Sequence, residues 1–174
     1  KRNVNADILI VGGGGGGGSS ENGSSTSGSG GGAGGLIFLE NQSISTKTYT
    51  IKVGNGASAI VNSDTRGNNG YNSLFSYLQT EAIGGGGGGT RDTGNNPDIY
   101  SGSNGGSGGG SASTLAIGGL GTVSDIIKYD GTVLISNYRQ GYNGGDNIVS
   151  DEPYSGGGGG ASEVGKNSND GIED

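Results

Sequence analysis

Apolar residues in this chain come in short bursts separated by long polar and glycine-rich stretches. The longest continuous bursts, among them Ile8-Leu9-Ile10-Val11 after Asp7, are strand-sized and far short of the about 18 residues a membrane span needs. Residues 36–40 and 48–53 read as two further strands flanking a polar turn around 41–47. In the second of them Tyr49, Ile51 and Val53 alternate with Thr50 and Lys52, the period of two expected of a half-buried strand. Residues 125–129 and 132–135 are separated by Asp130-Gly131, a strong hairpin signal. The stretch 74–83 carries Leu74 and Leu78 at helical spacing, but its abrupt stop in six glycines favours a strand.

Between these bursts lie uninterrupted glycine runs at 12–18, 84–89 and 156–160, which begin 72 residues apart. Around them the chain reads as a module repeated at that interval: a β-type burst, a glycine run, a polar loop and a second glycine-rich stretch (30–35, then 105–110), with the third copy incomplete. Glycine loses more freedom on ordering than any other residue, so such runs make poor helices, strands or cores. They suit the polyproline II conformation, with three residues per turn, about 3.1 Å rise and every N–H and C=O pointing outward. A bundle of these helices can satisfy donors and acceptors on neighbours, and crowding on all sides would exclude any side chain. The expected fold class is mostly irregular and all-β: packed polyglycine II helices clamped by short β-strands and hairpins, with little or no α-helix, in a single glycine-rich domain over 1–174. The alternative is a Gly/Ser linker. Protected glycine amides in hydrogen exchange would favour the bundle, and fast exchange the linker.

Composition sharpens this picture. Glycine is 45 of 174 residues, and only 28% are hydrophobic, so apolar burial alone struggles against about 1–2 kcal/mol of backbone entropy per residue. Hydrogen bonding between packed backbones is the obvious supplement. The formal charge of −7 and the scattered lysines and arginines argue against nucleic acid and anionic membrane surfaces. Cys, His, Met and Trp are absent, which precludes disulfides and suits a durable extracellular material. The chain begins Lys1-Arg2-Asn3 and reads as a processed form or a piece of something longer.

Asp7-Ile8-Leu9-Ile10-Val11 running into the glycines at 12–18, the Gly-Gly-Gly-Ala-Gly-Gly at 30–35, the string from Tyr49 to Gly56, and Asn72-Ser73-Leu74-Phe75 leading to 84–89 resemble the glycine-rich domain of viral fibres. Such domains occur in phage tail-fibre proteins and adhesins and in some giant-virus proteins. The resemblance covers most of 6–161 and is strongest before residue 90. It implies a virion-associated, surface-exposed structural role, often in host attachment, with polyglycine II helices packed in layers and variable loops at one end. The chain departs from the pattern in a longer β insertion at 122–138 and in lacking a glycine-rich close after Asp170.

Motifs for chemistry are weak. Gly12, Gly14 and Gly17 after a strand formally satisfy a dinucleotide fingerprint, with Glu40 ending a second strand, but the serines and glycines of 19–35 will not make the intervening helix. Residues 160–167 come within one residue of a P-loop, with Asn167 where a hydroxyl must reach magnesium; a polar terminal loop is the plainer reading. Without His or Cys the common nucleophile pairs cannot form, and Asp151-Glu152 reads as solvated charge. Asn22-Gly23-Ser24 and Asn41-Gln42-Ser43 are glycosylation sequons. Asp146 and Asp170 beside glycines offer hard oxygen ligands to calcium, though in no EF-hand spacing; no other cofactor is expected.

Tyrosine is the one enriched aromatic, eight against two Phe. Tyr71, Tyr100, Tyr138, Tyr142 and Tyr154 sit among Asn, Gly and Ser, a mixture that gives contact area with adaptable hydrogen bonding. They are the receptor-contact candidates; the alternative is that they cap glycine layers. The chain is thus expected to be a non-enzymatic fibre or tail-adhesin domain at the virion surface. Its partners would be a host-cell receptor or glycan and other virion or fibre subunits, with a homo-oligomer expected. The runner-up is a self-assembling extracellular filament or coat subunit. An ice-binding glycine-helix protein would need a regular Gly-X-X repeat, which is absent.

Overall fold

A computed structural model describes residues 2–20, 27–60, 64–91, 96–149 and 154–168. Among the described residues there is no α-helix, and one short 3-10 turn spans Pro97–Ile99. Strands pair two by two. β1 (Val4–Val11) runs antiparallel to β3 (Leu36–Ile44), and β2 (Ser27–Gly28) to β6 (Thr90–Arg91). β4 (Ile51–Lys52) pairs with β5 (Leu74–Phe75), and β7 (Val123–Ile127) with β8 (Val133–Arg139).

Alternation along β1 and β3 buries Ile8, Ile10, Ile37 and Leu39 and turns Leu9, Val11 and Phe38 outward. The buried set joins Tyr77, Leu78, Ala82 and Ile126 in one apolar cluster under both long strand pairs. The two long strand pairs share a device. Opposite Asp7 the partner strand carries an extra residue, Asn41, at φ 50, whose N–H donates to Asp7 Oδ1 at 2.8 Å. Opposite Asp125 the extra residue is Asn137 at φ 52, and its N–H donates to Asp125 Oδ1 at 2.9 Å. Asn tolerates the left-handed region, and the facing carboxylate takes the amide the bulge would orphan.

The hairpin over Asp130-Gly131 forms as expected, with Gly131 at φ +87 and its N–H on Lys128 O. Three sequence expectations are corrected. β3 runs on through 41–44, because the bulge at Asn41 lets it keep pairing with β1, so 36–40 and 48–53 do not flank a turn as a pair. Ile51 and Val53 are 71% and 78% exposed: β4 is only two residues long and lies at the rim. Likewise only Leu74 and Phe75 of 74–83 form a strand; a turn follows, in which Leu78 N–H bonds Phe75 O.

The glycine segments make a hydrogen-bonded lattice with a period of three. N–H groups of Gly12, Gly15 and Gly18 donate to Gly35, Gly32 and Ser29, while those of Gly13, Gly16 and Ser19 donate to Tyr71, Asn68 and Thr65. Every third residue thus faces the same neighbour, the repeat of polyproline II geometry. The middle run, 84–89, is buried throughout. Its N–H groups at 85 and 88 bond Gly13 and Gly16, and those at 86 and 89 bond Ser107 and Gly110. The remaining two, at 84 and 87, bond the side-chain oxygens of Asn72 and Asn69, both at 2.9 Å. Its six carbonyls accept from Gly106, Gly70, Gly32, Ser103, Gly67 and Ser29. All twelve backbone polar groups of the run are therefore bonded, as burial demands.

Crowding explains the composition. A Cβ built at any of the six glycines of 84–89 would come closer than 3.0 Å to a neighbouring backbone atom. Buried Ser29 and Ser107 fit because each hydroxyl donates to lattice carbonyls: Ser29 Oγ reaches Gly89 O and Gly110 O, and Ser107 Oγ reaches Gly34 O and Gly160 O. A net hydrogen bond is worth only about 1 kcal/mol, but the lattice multiplies it over many residues where the apolar cluster is small.

Candidate contact surface

The five candidate tyrosines are dispersed. Tyr71 is 60% exposed, with its N–H on Asn55 O and its carbonyl taking Gly13 N–H, so its backbone is fixed while its ring faces solvent. Tyr154 is also exposed. Tyr138 is half-buried against the apolar cluster, and its hydroxyl accepts the Phe38 N–H at 3.0 Å. Tyr142 is half-buried with the Arg139 guanidinium 5.0 Å above its ring. Tyr100 is 2% exposed and packs inside, which takes it out of reach of any receptor. Among the described residues no ring pair joins any two of these five.

The rings that do assemble are others. Tyr49, Phe75, Tyr77 and Tyr129 form a chain with centroids 5.2 to 6.2 Å apart. Lys47 Nζ lies 3.1 Å from the Tyr129 centroid and 5.0 Å from that of Tyr49, and Lys128 Nζ lies 5.4 Å from that of Tyr77. Sequence reasoning passed over this group because its tyrosines sit in strand-like surroundings; Phe75 lies in β5 while Tyr49 and Tyr77 flank β4 and β5, and that proximity was the available signal.

A cleft of about 450 Å³ opens between β1 and the β4–β5 pair, walled by Leu9, Val11, Ile44, Ile51, Val53 and Phe75. It shares Lys52 and Val53 with a polar hollow of about 280 Å³ lined also by Asn55, Ser58 and Tyr71. An apolar trough thus passes into a polar end beside the most exposed candidate tyrosine, the mixture of apolar walls and few polar groups that ligand sites share.

The chemical motifs are absorbed into the frame. In 12–18 the amides of residues 12, 13, 15, 16 and 18 are bonded to main chain, and among the described residues no α-helix follows to complete a phosphate cradle. Residues 160–167 are not a free terminal loop: Gly160 N–H bonds Glu163 O, the chain reverses, and Gly165 N–H rejoins the lattice on Asn143 O. Asp146 Oδ1 accepts the Gly118 N–H at 2.7 Å, and among the described residues no group of three or more acidic, His or Cys side chains could hold a metal ion. Asp170, Asp151, Glu152 and the sequon at Asn22 lie outside the described residues. Asn41, of the other sequon, is exposed at the β3 bulge. The Thr132 hydroxyl and N–H hold the exposed Asp130 carboxyl below its usual 3.8. No helix of the described residues is long and apolar enough to cross a membrane.

No curated protein and no solved structure matches the chain. The glycine-rich domain family model matches residues 2–173, and with the lattice above accounting for its glycines, the chain belongs to that family.

Proposed function

We propose that this chain is a non-enzymatic structural and adhesive domain: a glycine-rich part of a virion fibre or tail adhesin, displayed outside the cell, that contacts a host-cell receptor or glycan. The observation that carries this reading is the middle run, whose twelve backbone groups are all bonded within the chain. An interior made of main chain is stiff and chemically inert, so function falls to the rim, as in a fibre tip that must hold its shape while it presents contact residues. Tyr71 with the adjoining trough is the leading contact surface, and the exposed Tyr154 a second point.

Binding of the labelled domain to a panel of cell surfaces and to a glycan array tests it. Saturable binding that Tyr71→Ala weakens while the melting temperature stays put supports the reading. Binding to none of them, with a folded protein, would remove it.

A second reading, a self-assembling filament or coat subunit, is favoured by one feature. Ile117, Leu120 and Val123 recur at the three-residue spacing and are all exposed, an apolar stripe that could seat a second copy. Electron microscopy decides between them: open-ended polymers support the filament, discrete particles the adhesin.

A further inference from the structure

Asparagine followed by glycine is the step at which a protein chain most readily modifies itself. The glycine nitrogen gives up its proton and attacks the asparagine Cγ; an N–Cγ bond closes a five-membered succinimide as the Cγ–Nδ2 bond breaks and ammonia leaves. Water then opens the ring to aspartate or isoaspartate. The reaction needs a side chain free to turn and a following amide free to react, and glycine offers no Cβ in the way.

The described residues contain four such steps, at Asn55, Asn69, Asn104 and Asn143. Three are held shut twice over. The following amides are bonded, Gly70 to Gly85 O at 2.9 Å, Gly105 to Leu120 O at 3.1 Å and Gly144 to Gly119 O at 2.9 Å. Their side-chain oxygens are also engaged: Asn69 Oδ1 takes the Gly87 N–H, Asn104 Oδ1 the Leu120 N–H and Asn143 Oδ1 the Gly121 N–H, at 2.9, 2.7 and 2.9 Å. The fourth differs in every respect. Asn55 and Gly56 are both exposed, and neither the Asn55 side chain nor the Gly56 N–H has a partner among the described residues. The space beside Gly56 is open as well, the nearest atom to a Cβ there being Gly14 O at 3.7 Å.

We propose that Asn55 is a built-in site of spontaneous deamidation, while the lattice protects the other three steps. The site is placed where the change matters. Asn55 O accepts the Tyr71 N–H at 3.0 Å and, two residues on, Ala57 N–H donates to Gly14 O at 2.9 Å. Isoaspartate inserts an extra backbone bond between these two anchors, so both cannot be kept in register. Either product also adds a negative charge to the hollow that holds Lys52 and Tyr71. The modification therefore loosens the 53–58 segment beside the candidate contact surface, although the proposal itself stands independently of any receptor.

The test incubates the native protein in mildly alkaline buffer made with heavy-oxygen water, followed by peptide mapping for aspartate and isoaspartate. Rates at each step are divided by those of the urea-unfolded chain. With two hydrogen bonds to break at each protected step, Asn69, Asn104 and Asn143 are expected to lag Asn55 by about thirtyfold. Modified protein should show faster amide exchange at Tyr71. Asn55→Gln should abolish the fast product and leave the melting temperature unchanged. Modification of Asn69, Asn104 or Asn143 in step with Asn55, or protection of Asn55 as strong as theirs, overturns the proposal.

Discussion

Replacing Gly15 by alanine, and separately its neighbour Gly14, tests the lattice at adjacent positions of one run. The two substitutions change composition identically. At Gly15 the new methyl would lie closer than 3.0 Å to the backbone of Gly86, in the middle run, whereas at Gly14 the nearest atom is Ala33 O at 3.7 Å. The Gly15 methyl must push two segments apart, at about 1–3 kcal/mol for overpacking. The parting also strains Gly15 N–H to Gly32 O and the neighbouring Gly85 N–H to Gly13 O, at about 1 kcal/mol for each bond weakened. A total of about 3–5 kcal/mol is a large share of the 5–15 kcal/mol typical of a domain, and lowers Tm by about 6–20 °C at this size. Gly14→Ala instead restricts only the unfolded chain and should stabilise by about 0.4–1 kcal/mol. Thermal and urea unfolding measure both. Equal destabilisation by the two variants, or tolerance of alanine at Gly15, would refute the reasoning.

Asn69→Ala removes the acceptor of the buried Gly87 N–H, so it should cost about 1–3 kcal/mol and speed amide exchange at Gly87 more than at Gly86, as NMR would show. Tyr100→Ala should destabilise by about 3–5 kcal/mol in urea unfolding because its ring is buried, whereas Tyr71→Ala should stay within about 0.5 kcal/mol. The lowered pKa of Asp130 stabilises its turn above the unfolded value near 3.8, and this help is lost as pH falls through the folded value. Thr132 amide shifts should therefore change only in that acid range, and Asp130→Asn should remove the dependence.

Much of the frame was legible because glycine runs and strand bursts have opposite requirements, and Asp130-Gly131 carries its turn in two residues. The ranking of the runs was not. Residues 12–18 and 84–89 look alike, yet the second is enclosed and the first leaves Gly14 and Gly16 with room for a methyl. Position in the bundle decides that, and no local feature encodes it. The partner of 36–44 was hidden for a similar reason: β1 lies across the whole first glycine segment, a pairing that spacing to 48–53 concealed. Tyr100 misled because its polar sequence neighbours include 105–110, which fold over the interior. Asn69 and Asn72 were readable in principle, since their separation matches the three-residue turn of the run they bond.

That shared turn has a consequence for how such a chain can change. Each residue of 84–89 addresses one of three directions, so deleting a single glycine rotates everything downstream by about 120° and sends each amide to the wrong neighbour. Adding or losing three at once preserves the phase and alters only the length. Lineages of this architecture are therefore free to lengthen or shorten their rods in triplets, while single-residue slips are purged whatever the side chains at the rim.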